Sequence, residues 1–524
     1  MRTIFLVSIL VNFNILISQQ NLISTHSFYR DKLFACRKDS LVNSNVNIYK
    51  SVIYNVNSFL PANENRYNLH GYLKDTSIQY YDFAEVLFKK HLVEVKSKDC
   101  FLTISPLLDL SLGKDLKDSS SLNLFQNTRG VLIEGDLYKN FSFSTSFFEN
   151  QSRFSSYEQQ FINESGELRP VSIGYAQENG VISGAARTKP FKTNGYDYSY
   201  AIGNIIYSPH RKIDLIAGNN QQFIGTGYRS MLLSDNSSYS PYFRVDYYIS
   251  KRFSFNYLRS RNMNLIRKKV FTTVEGFYQP KGLGVNYLTY YFSPKLNVSL
   301  FDGTIWSMGD SLQTKAVNPL FYNPIPFVSA FLNDSTCYAI QGLNLNWNVT
   351  NKIRAYSQIA IGNLDSKQLA FQLGIRGYDL FKLKNSMIQL EFNSASATMY
   401  QSKFSRLNYS NYNLPLAHSK GNAFKELLLR FNWEYKRCYI DLKSISYYLE
   451  NFNRTALLPI PKSNISTNGF VFHNQLEIGY RFNKKINLTI FANGIYRYDG
   501  TSKNQNMILS GGIRTALINH YNDY

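Results

Sequence analysis

Eight times along the chain, an aromatic run passes through a tight polar turn into a stretch where apolar and polar residues alternate. The clearest turns are Tyr480-Arg481-Phe482-Asn483-Lys484-Lys485-Ile486, Tyr247-Tyr248-Ile249-Ser250-Lys251-Arg252-Phe253 and Tyr291-Phe292-Ser293-Pro294-Lys295-Leu296. The others centre on Lys139, Arg211, Lys352, Lys384 and Lys436. After the turns, Ile486, Leu488 and Ile490 alternate with Asn487 and Thr489, and Leu296, Val298 and Leu300 with Asn297 and Ser299. Phe141, Phe143 and Phe147 likewise face away from Ser142, Ser144 and Ser146. A period of two puts successive side chains on opposite faces, so each stretch predicts a β-strand with one apolar face.

A soluble β-sandwich shows the same alternation, and the connections separate the two cases. Every second connection is a turn of a few residues, while those between are long, often tens of residues, and rich in Asn, Ser and Tyr. Short turns on one rim and long loops on the other are the pattern of an outer-membrane barrel. Eight turns account for eight strand pairs. One strand before them, near residues 101–112, and one after, near residues 507–518, bring the total to about eighteen, an even number as such barrels require. The predicted fold is therefore all-β: a transmembrane antiparallel β-barrel of about 18 strands over residues 100–524, with both barrel ends in the periplasm and the long loops extracellular.

Composition narrows the class further. The 524 residues carry 57 Lys and Arg against 36 Asp and Glu, a formal charge of +21, yet only 18% are charged while 15% are aromatic, chiefly Tyr and Phe. Disorder requires few aromatics and a high charge fraction. A bundle of membrane helices requires repeated apolar runs of roughly 18 residues or more. The chain has neither signature, and its mean hydropathy is −0.27.

The amino-terminal pattern sets the compartment. Arg2 precedes the apolar residues 4–17 and the polar Ser18, Gln19 and Gln20, which reads as a secretory signal peptide over residues 1–20. An uncleaved anchor is the alternative, for which the stretch is short and interrupted by Asn12 and Asn14. Residues 21–99 are polar and less regular, a periplasmic segment in which Tyr80, Phe83, Ala84, Leu87 and Phe88 have helical spacing. They predict a small helix at or under the barrel mouth; the alternative is a structureless leader. Of the four cysteines, Cys36 and Cys100 are the plausible pair in an oxidising compartment, and Cys438, beside Ile440 and Leu442, reads as an unpaired apolar position.

Searches for catalytic chemistry find little. His26, His70, His91, His210, His418, His473 and His520 show no zinc-site spacing, so no metal or other cofactor is expected. Gly225-Thr226-Gly227 lacks the third glycine of a dinucleotide loop and continues into Tyr228-Arg229-Ser230, which is better read as loop backbone. The expectation is a protein that is not an enzyme, although catalytic residues distant in sequence could still meet at the rim. The positive charge is spread over turns, loops and strands with no basic helix or tail, which argues against nucleic acid. Attraction of anionic polysaccharide or lipid phosphate and lining of a lumen are better uses for it. A generally lysine-rich composition is the competing account.

Three segments stand out in the long connections: Gly225-Thr226-Gly227-Tyr228-Arg229-Ser230-Met231-Leu232-Leu233-Ser234-Asp235, Asn318-Pro319-Leu320-Phe321-Tyr322-Asn323-Pro324, and Leu407-Asn408-Tyr409-Ser410-Asn411-Tyr412-Asn413-Leu414-Pro415-Leu416-Ala417-His418. The first resembles a signature of the Wzi-type capsule-assembly outer-membrane barrels, with Met231 in place of a leucine. The other two, with the closing Ile518-Asn519-His520-Tyr521-Asn522-Asp523-Tyr524, are similar to a branch of that family linked to gliding motility, the RemB branch. The resemblance implies an eighteen-stranded barrel that holds surface polysaccharide without catalytic residues or cofactor. Its partners would be that polysaccharide and the outer membrane with its lipids, and the protein would be a monomer.

On the topology above, all three segments lie on the extracellular side or the outer rim. There Tyr228, Tyr322, Tyr409 and Tyr412 could stack on sugar faces, and Arg229 could pair with a uronate or phosphate. Asp235 completes the candidate set. In the opposing arrangement, Arg229 and Asp235 form an internal ion pair and the tyrosines plug the barrel. An outer-membrane pore or substrate-specific channel is the alternative function.

Overall fold

A computed structural model describes residues 82–524, apart from residues 98, 119–121, 139, 186, 211, 268–277, 310–315, 333–334, 463–465, 516–517 and 520. The expected signal peptide, most of the expected N-terminal segment, and Cys36 lie outside the described residues.

Eighteen antiparallel strands close into one barrel. The first six are β1 (Cys100–Asp115), β2 (Leu124–Leu137), β3 (Phe141–Arg153), β4 (Gly195–His210), β5 (Ile213–Asn220) and β6 (Ser240–Tyr247). The next six are β7 (Phe253–Arg267), β8 (Tyr278–Ser293), β9 (Leu296–Ser307), β10 (Cys337–Asn348), β11 (Ile353–Gly362) and β12 (Leu369–Tyr378). The wall is completed by β13 (Ser386–Ala395), β14 (Phe424–Tyr435), β15 (Cys438–Phe452), β16 (Thr467–Asn483), β17 (Leu488–Asp499) and β18 (Asn504–Arg514). Each pairs with the strand before it, and β18 returns to β1 with Asp109 opposite Arg514 and Asp115 opposite Ile508. No sheet edge is left open, so every ladder group in the wall can find a partner away from water.

All eight tight turns join strands as their sequences predict, and all lie on one rim. The other rim is less uniform than expected: residues 154–194, 308–336 and 396–423 are long connections, but β11–β12 and β17–β18 are joined by residues 363–368 and 500–503 alone. The final strand is shorter than its alternation suggests. It ends at Arg514, and Ile518 lies in a tail that enters the lumen.

No helix among the described residues is long and apolar enough to cross a membrane. The outward positions carry the necessary belt: Leu343, Leu373, Ile375, Leu427, Leu476 and Ile478 are exposed. Towards the short-turn rim the exposed side chains become aromatic, with Tyr247, Phe253, Phe292, Trp347, Tyr435 and Tyr480. Rings of that kind sit at a membrane–water boundary.

The helical spacing near residue 80 corresponds to α1 (Asp82–Phe88). It docks on the short-turn rim, where the Phe88 ring lies 6.0 Å from Phe482 and Asn483 Nδ2 donates to the carbonyls of Leu87 and Lys90 at 3.2 and 2.9 Å. A short strand, Val93–Lys96, then pairs with the start of β1, and Lys485 closes an ion pair with Glu94 at 2.5 Å. Cys438 is an exposed free thiol at the start of β15, while Cys337 is buried.

Candidate functional site

The lumen is packed rather than open. Residues 221–238, within the connection from β5 to β6, are all buried, and Ile224, Met231, Leu232 and Leu233 join inward-facing Leu258, Val285, Phe301 and Ile340 in an apolar core. Apolar burial drives the loop inward, and the wall must then satisfy its backbone. Gln358 on β11 does this with both ends of its amide, donating to the Ile224 carbonyl at 3.0 Å and accepting from the Met231 N–H at 2.8 Å. Glu391 on β13 accepts the N–H groups of Tyr228 and Arg229 at 2.7 and 3.0 Å.

These contacts explain the two glycines of the first segment. A Cβ on Gly225, whose φ is +133°, would lie 2.4 Å from Gln358 Nε2, and one on Gly227 would lie 2.7 Å from a Glu391 oxygen. Only backbone without a side chain can come this close to the wall groups that hold it.

Arg229 is 2% exposed and sits at the centre of the plug. It donates to Glu426 on β14 at 3.3 Å, to the Tyr447 hydroxyl on β15 at 2.8 Å, and to the Asp523 carboxylate. Tyr447 also donates to Asp523, at 2.5 Å, and His418 Nε2 meets the other Glu426 oxygen at 2.7 Å. Burial pushes the Asp523 carboxyl up, but Arg229, His473, Lys443 and the Tyr447 hydrogen bond together outweigh it and hold the group well below the usual carboxylate range. Burial also drives the His418 imidazole down, against the pull of Glu426.

The tail that carries Asp523 ties the plug to the rest of the lumen. Asn519 and Tyr521 donate to Asp235 at 2.7 and 2.6 Å, and the Tyr521 ring lies edge-on to Tyr228 at 5.6 Å. Tyr524 stacks on Phe161 at 3.7 Å, within helix α2 (Ser156–Glu164). Arg229 and Asp235 therefore do not pair with each other; each binds the tail.

The third segment caps the long-loop mouth. Ser410–Asn411 and Leu414–Pro415 form a minimal hairpin whose two central residues, Tyr412 and Asn413, have φ of +50° and +62°. That is the left-handed pair a two-residue turn of this kind requires. Tyr409 is fully buried and donates to the Leu232 carbonyl at 2.9 Å, while Tyr412 is half-buried with its N–H on the Met263 carbonyl at 2.8 Å. Tyr322 does not join the others. It lies outside the barrel wall and is 60% exposed.

Beside the plug a cavity of about 350 Å³ runs along the wall from Asn487 near the short-turn rim to Glu158 in α2. Tyr228, Arg430, Lys443, Glu477 and Arg514 face it. Arg430 and Lys443 approach the Tyr228 ring at 4.9 and 5.3 Å. Arg430 also pairs with Asp441 at 3.5 Å, and Arg514 pairs with Glu477. A space of this size with convergent charged groups is a reasonable small-molecule site. Sequence reading identified Tyr228 but missed the wall residues. Their signal was present: Glu426, Arg430 and Glu434 occupy alternate positions opposite Leu427, Leu429 and Trp433, so charge points inward exactly where the apolar face points out.

The fold has a clear counterpart. A solved structure described as Wzi, an outer membrane protein involved in group 1 capsule assembly in Escherichia coli and a carbohydrate binding β-barrel, superposes with a TM-score of 0.55. The match covers 95% of this chain and 100% of that one at 10% identity. The chain shares the Wzi barrel fold. OpdQ from Pseudomonas aeruginosa matches over 79% of this chain and 96% of its own at 10% identity, with a TM-score of 0.41. A BenF-like porin from Pseudomonas fluorescens Pf-5 matches over 79% and 98% at 10% identity, with a TM-score of 0.40. No protein-family model and no curated protein sequence matches the chain.

Among the described residues, no group of three or more His, Cys, Asp and Glu could hold a metal ion. A serine does meet a histidine, Ser105 Oγ with His91 Nδ1 at 2.7 Å, but both are buried at the α1 end of the barrel. That contact fastens the segment ahead of β1.

Proposed function

We propose that this chain is a non-enzymatic outer-membrane barrel that binds a surface polysaccharide and serves surface organisation or gliding. In this reading the short-turn rim and both barrel ends are periplasmic, the long connections are extracellular, and the protein works as a monomer. The observation that carries it is the filled lumen: residues 221–238 and the tail are locked together by Arg229, Asp523 and Glu426. Such a plug is built for holding rather than for diffusion. The remaining cavity presents cationic Arg430 and Lys443 beside Tyr228, the combination that recognises an acidic sugar. The Wzi fold and the resemblance of Gly225–Asp235 to that family support the same class of ligand.

A substrate-specific channel is the second reading, favoured by the length of the cavity between the short-turn rim and α2. Two measurements on the detergent-purified protein separate them. Saturable binding of polysaccharide from the protein's own cells, with no conductance in planar bilayers, is the expected result. Conductance without binding at low and moderate salt would transfer the assignment to the channel.

A further inference from the structure

One long connection folds the other way. Within residues 308–336, which join β9 to β10, the segment 316–332 lies on the outer surface of the barrel. Strand register fixes this placement. Leu258, Val285, Phe301 and Ile340 point into the lumenal core, so the alternate residues Arg259, Asn286, Asp302 and Gln341 point outward. Those polar outward residues are nonetheless buried, because the segment covers them.

The seat is specific. Arg259 donates to the Phe321 carbonyl and, at 2.6 Å, to the Asn323 carbonyl. Asp302 accepts the Phe327 N–H at 3.0 Å, Thr304 bonds Ser329 at 2.6 Å, and Tyr257 donates to the Tyr322 carbonyl at 3.0 Å. Trp306, Phe321 and Cys337 form a small apolar core between segment and wall. A Cβ on Gly282 would stand 2.8 Å from the Phe321 ring, so glycine permits the close approach.

With its polar groups turned to the wall, the segment shows an apolar face to its surroundings. Phe331 is 79% exposed and Ile325 63%, with Tyr322 and Leu320 also exposed. In a chain that is 18% charged, residues 316–332 contain no Asp, Glu, Lys or Arg. The face continues the barrel's own apolar belt: its wall neighbours on β9 and β10 carry exposed Leu300, Leu343 and Leu345 just below Asp302 and Gln341. We infer that segment 316–332 is a membrane-contact collar, whose outer face is embedded among the acyl chains of the leaflet nearer the long-loop rim. A water-facing loop gains nothing from exposing such residues, whereas moving each apolar side chain from water into hydrocarbon is favourable. Outward Arg259 and Asp302 would be costly against lipid, and the collar shields them.

The inference rests on the membrane placement of the barrel, and one experiment tests both separately. The full chain carrying Phe331→Trp, or Ile325→Trp as a second variant, is reconstituted in phosphatidylcholine vesicles with plain or chain-brominated lipid. Trp347 and Trp433 on the outer wall report the barrel in the unmodified protein. The expected result is that unmodified protein is quenched by brominated chains and that the added tryptophan is blue-shifted, loses most of its emission to bromine, and resists aqueous acrylamide. Quenching of the unmodified protein with an added tryptophan that responds only to acrylamide would overturn the collar and leave the barrel in place. Lack of bromine quenching in the unmodified protein would overturn the membrane placement itself.

Discussion

Arg229 and Asp523 form a buried ion pair that joins two segments separated by most of the barrel in sequence. Glu426 and Tyr447 complete the arrangement, so the lock spans the plug, the tail and two wall strands. Removing one partner of such a pair leaves an unpaired buried charge, which costs about 3–5 kcal/mol. Arg229→Ala should therefore release the plug and tail without opening the closed β-ladder. Native-state hydrogen exchange should show lost protection over residues 221–239 and 518–524, with wall strands unchanged. Asp523→Asn in the same chain should restore part of the loss, because it removes one of the two stranded carboxylates.

The seat of the plug depends on a position with no side chain. At Gly225, φ is +133° and a Cβ would meet Gln358 Nε2 at 2.4 Å, so Gly225→Ala combines backbone strain with a steric clash. The expected cost is about 1–3 kcal/mol, read as a lower midpoint in heat-induced loss of the compact gel form. Adding Gln358→Ala should relieve the clash yet not the strain, and it strands the Met231 N–H and leaves the Ile224 carbonyl to the Ser230 hydroxyl alone. The double variant should therefore recover little.

The wall was legible in the sequence because its determinants are local. Period-two alternation and turn residues such as Asn483-Lys484-Lys485 specify strand and turn within a few positions, and every tight turn sits where they place it. The loop directions were not legible, because they depend on partners far away. Residues 221–238 and 316–332 both carry clusters of large apolar side chains, yet the first segment fills the lumen and the second lies outside. A local clue for the second exists on β7, where the outward series Phe253, Phe255, Tyr257 breaks to Arg259, a charge that must be covered. The final strand misled for the same reason: its alternation ran on to about residue 518, but it ends at Arg514 and the tail turns into the lumen, where Asp523 pairs with Arg229.

Charge in the cavity gives a direct test of ligand class. If Arg430 and Lys443 bind an acidic sugar beside Tyr228, Lys443→Ala should weaken binding of a uronic-acid oligosaccharide roughly tenfold or more, the effect of a lost charged hydrogen bond of about 1.5–3 kcal/mol. Binding of a neutral oligosaccharide of equal length should change little. Isothermal titration at two salt concentrations checks this, because the charged contribution must shrink as ionic strength rises.

The attachment of α1 to the barrel should depend on pH. His91 is buried against Ser105, and burial pushes its pKa down from 6.5 to about 4, with Lys485 adding to the effect. Because the docked pKa lies below that of the free chain, the undocked segment binds the proton more readily. Docking is therefore undiminished above about pH 6.5, weakens as pH falls towards about 4, and changes no further below it. The slope within that window is at most about 1.4 kcal/mol per pH unit. Limited proteolysis between α1 and β1 should accelerate from pH 7 to pH 5 in the unmodified protein. His91→Gln, which keeps a hydrogen-bonding side chain without a titrating group, should flatten that dependence. An unchanged pH response in the variant would rule out His91 as its source.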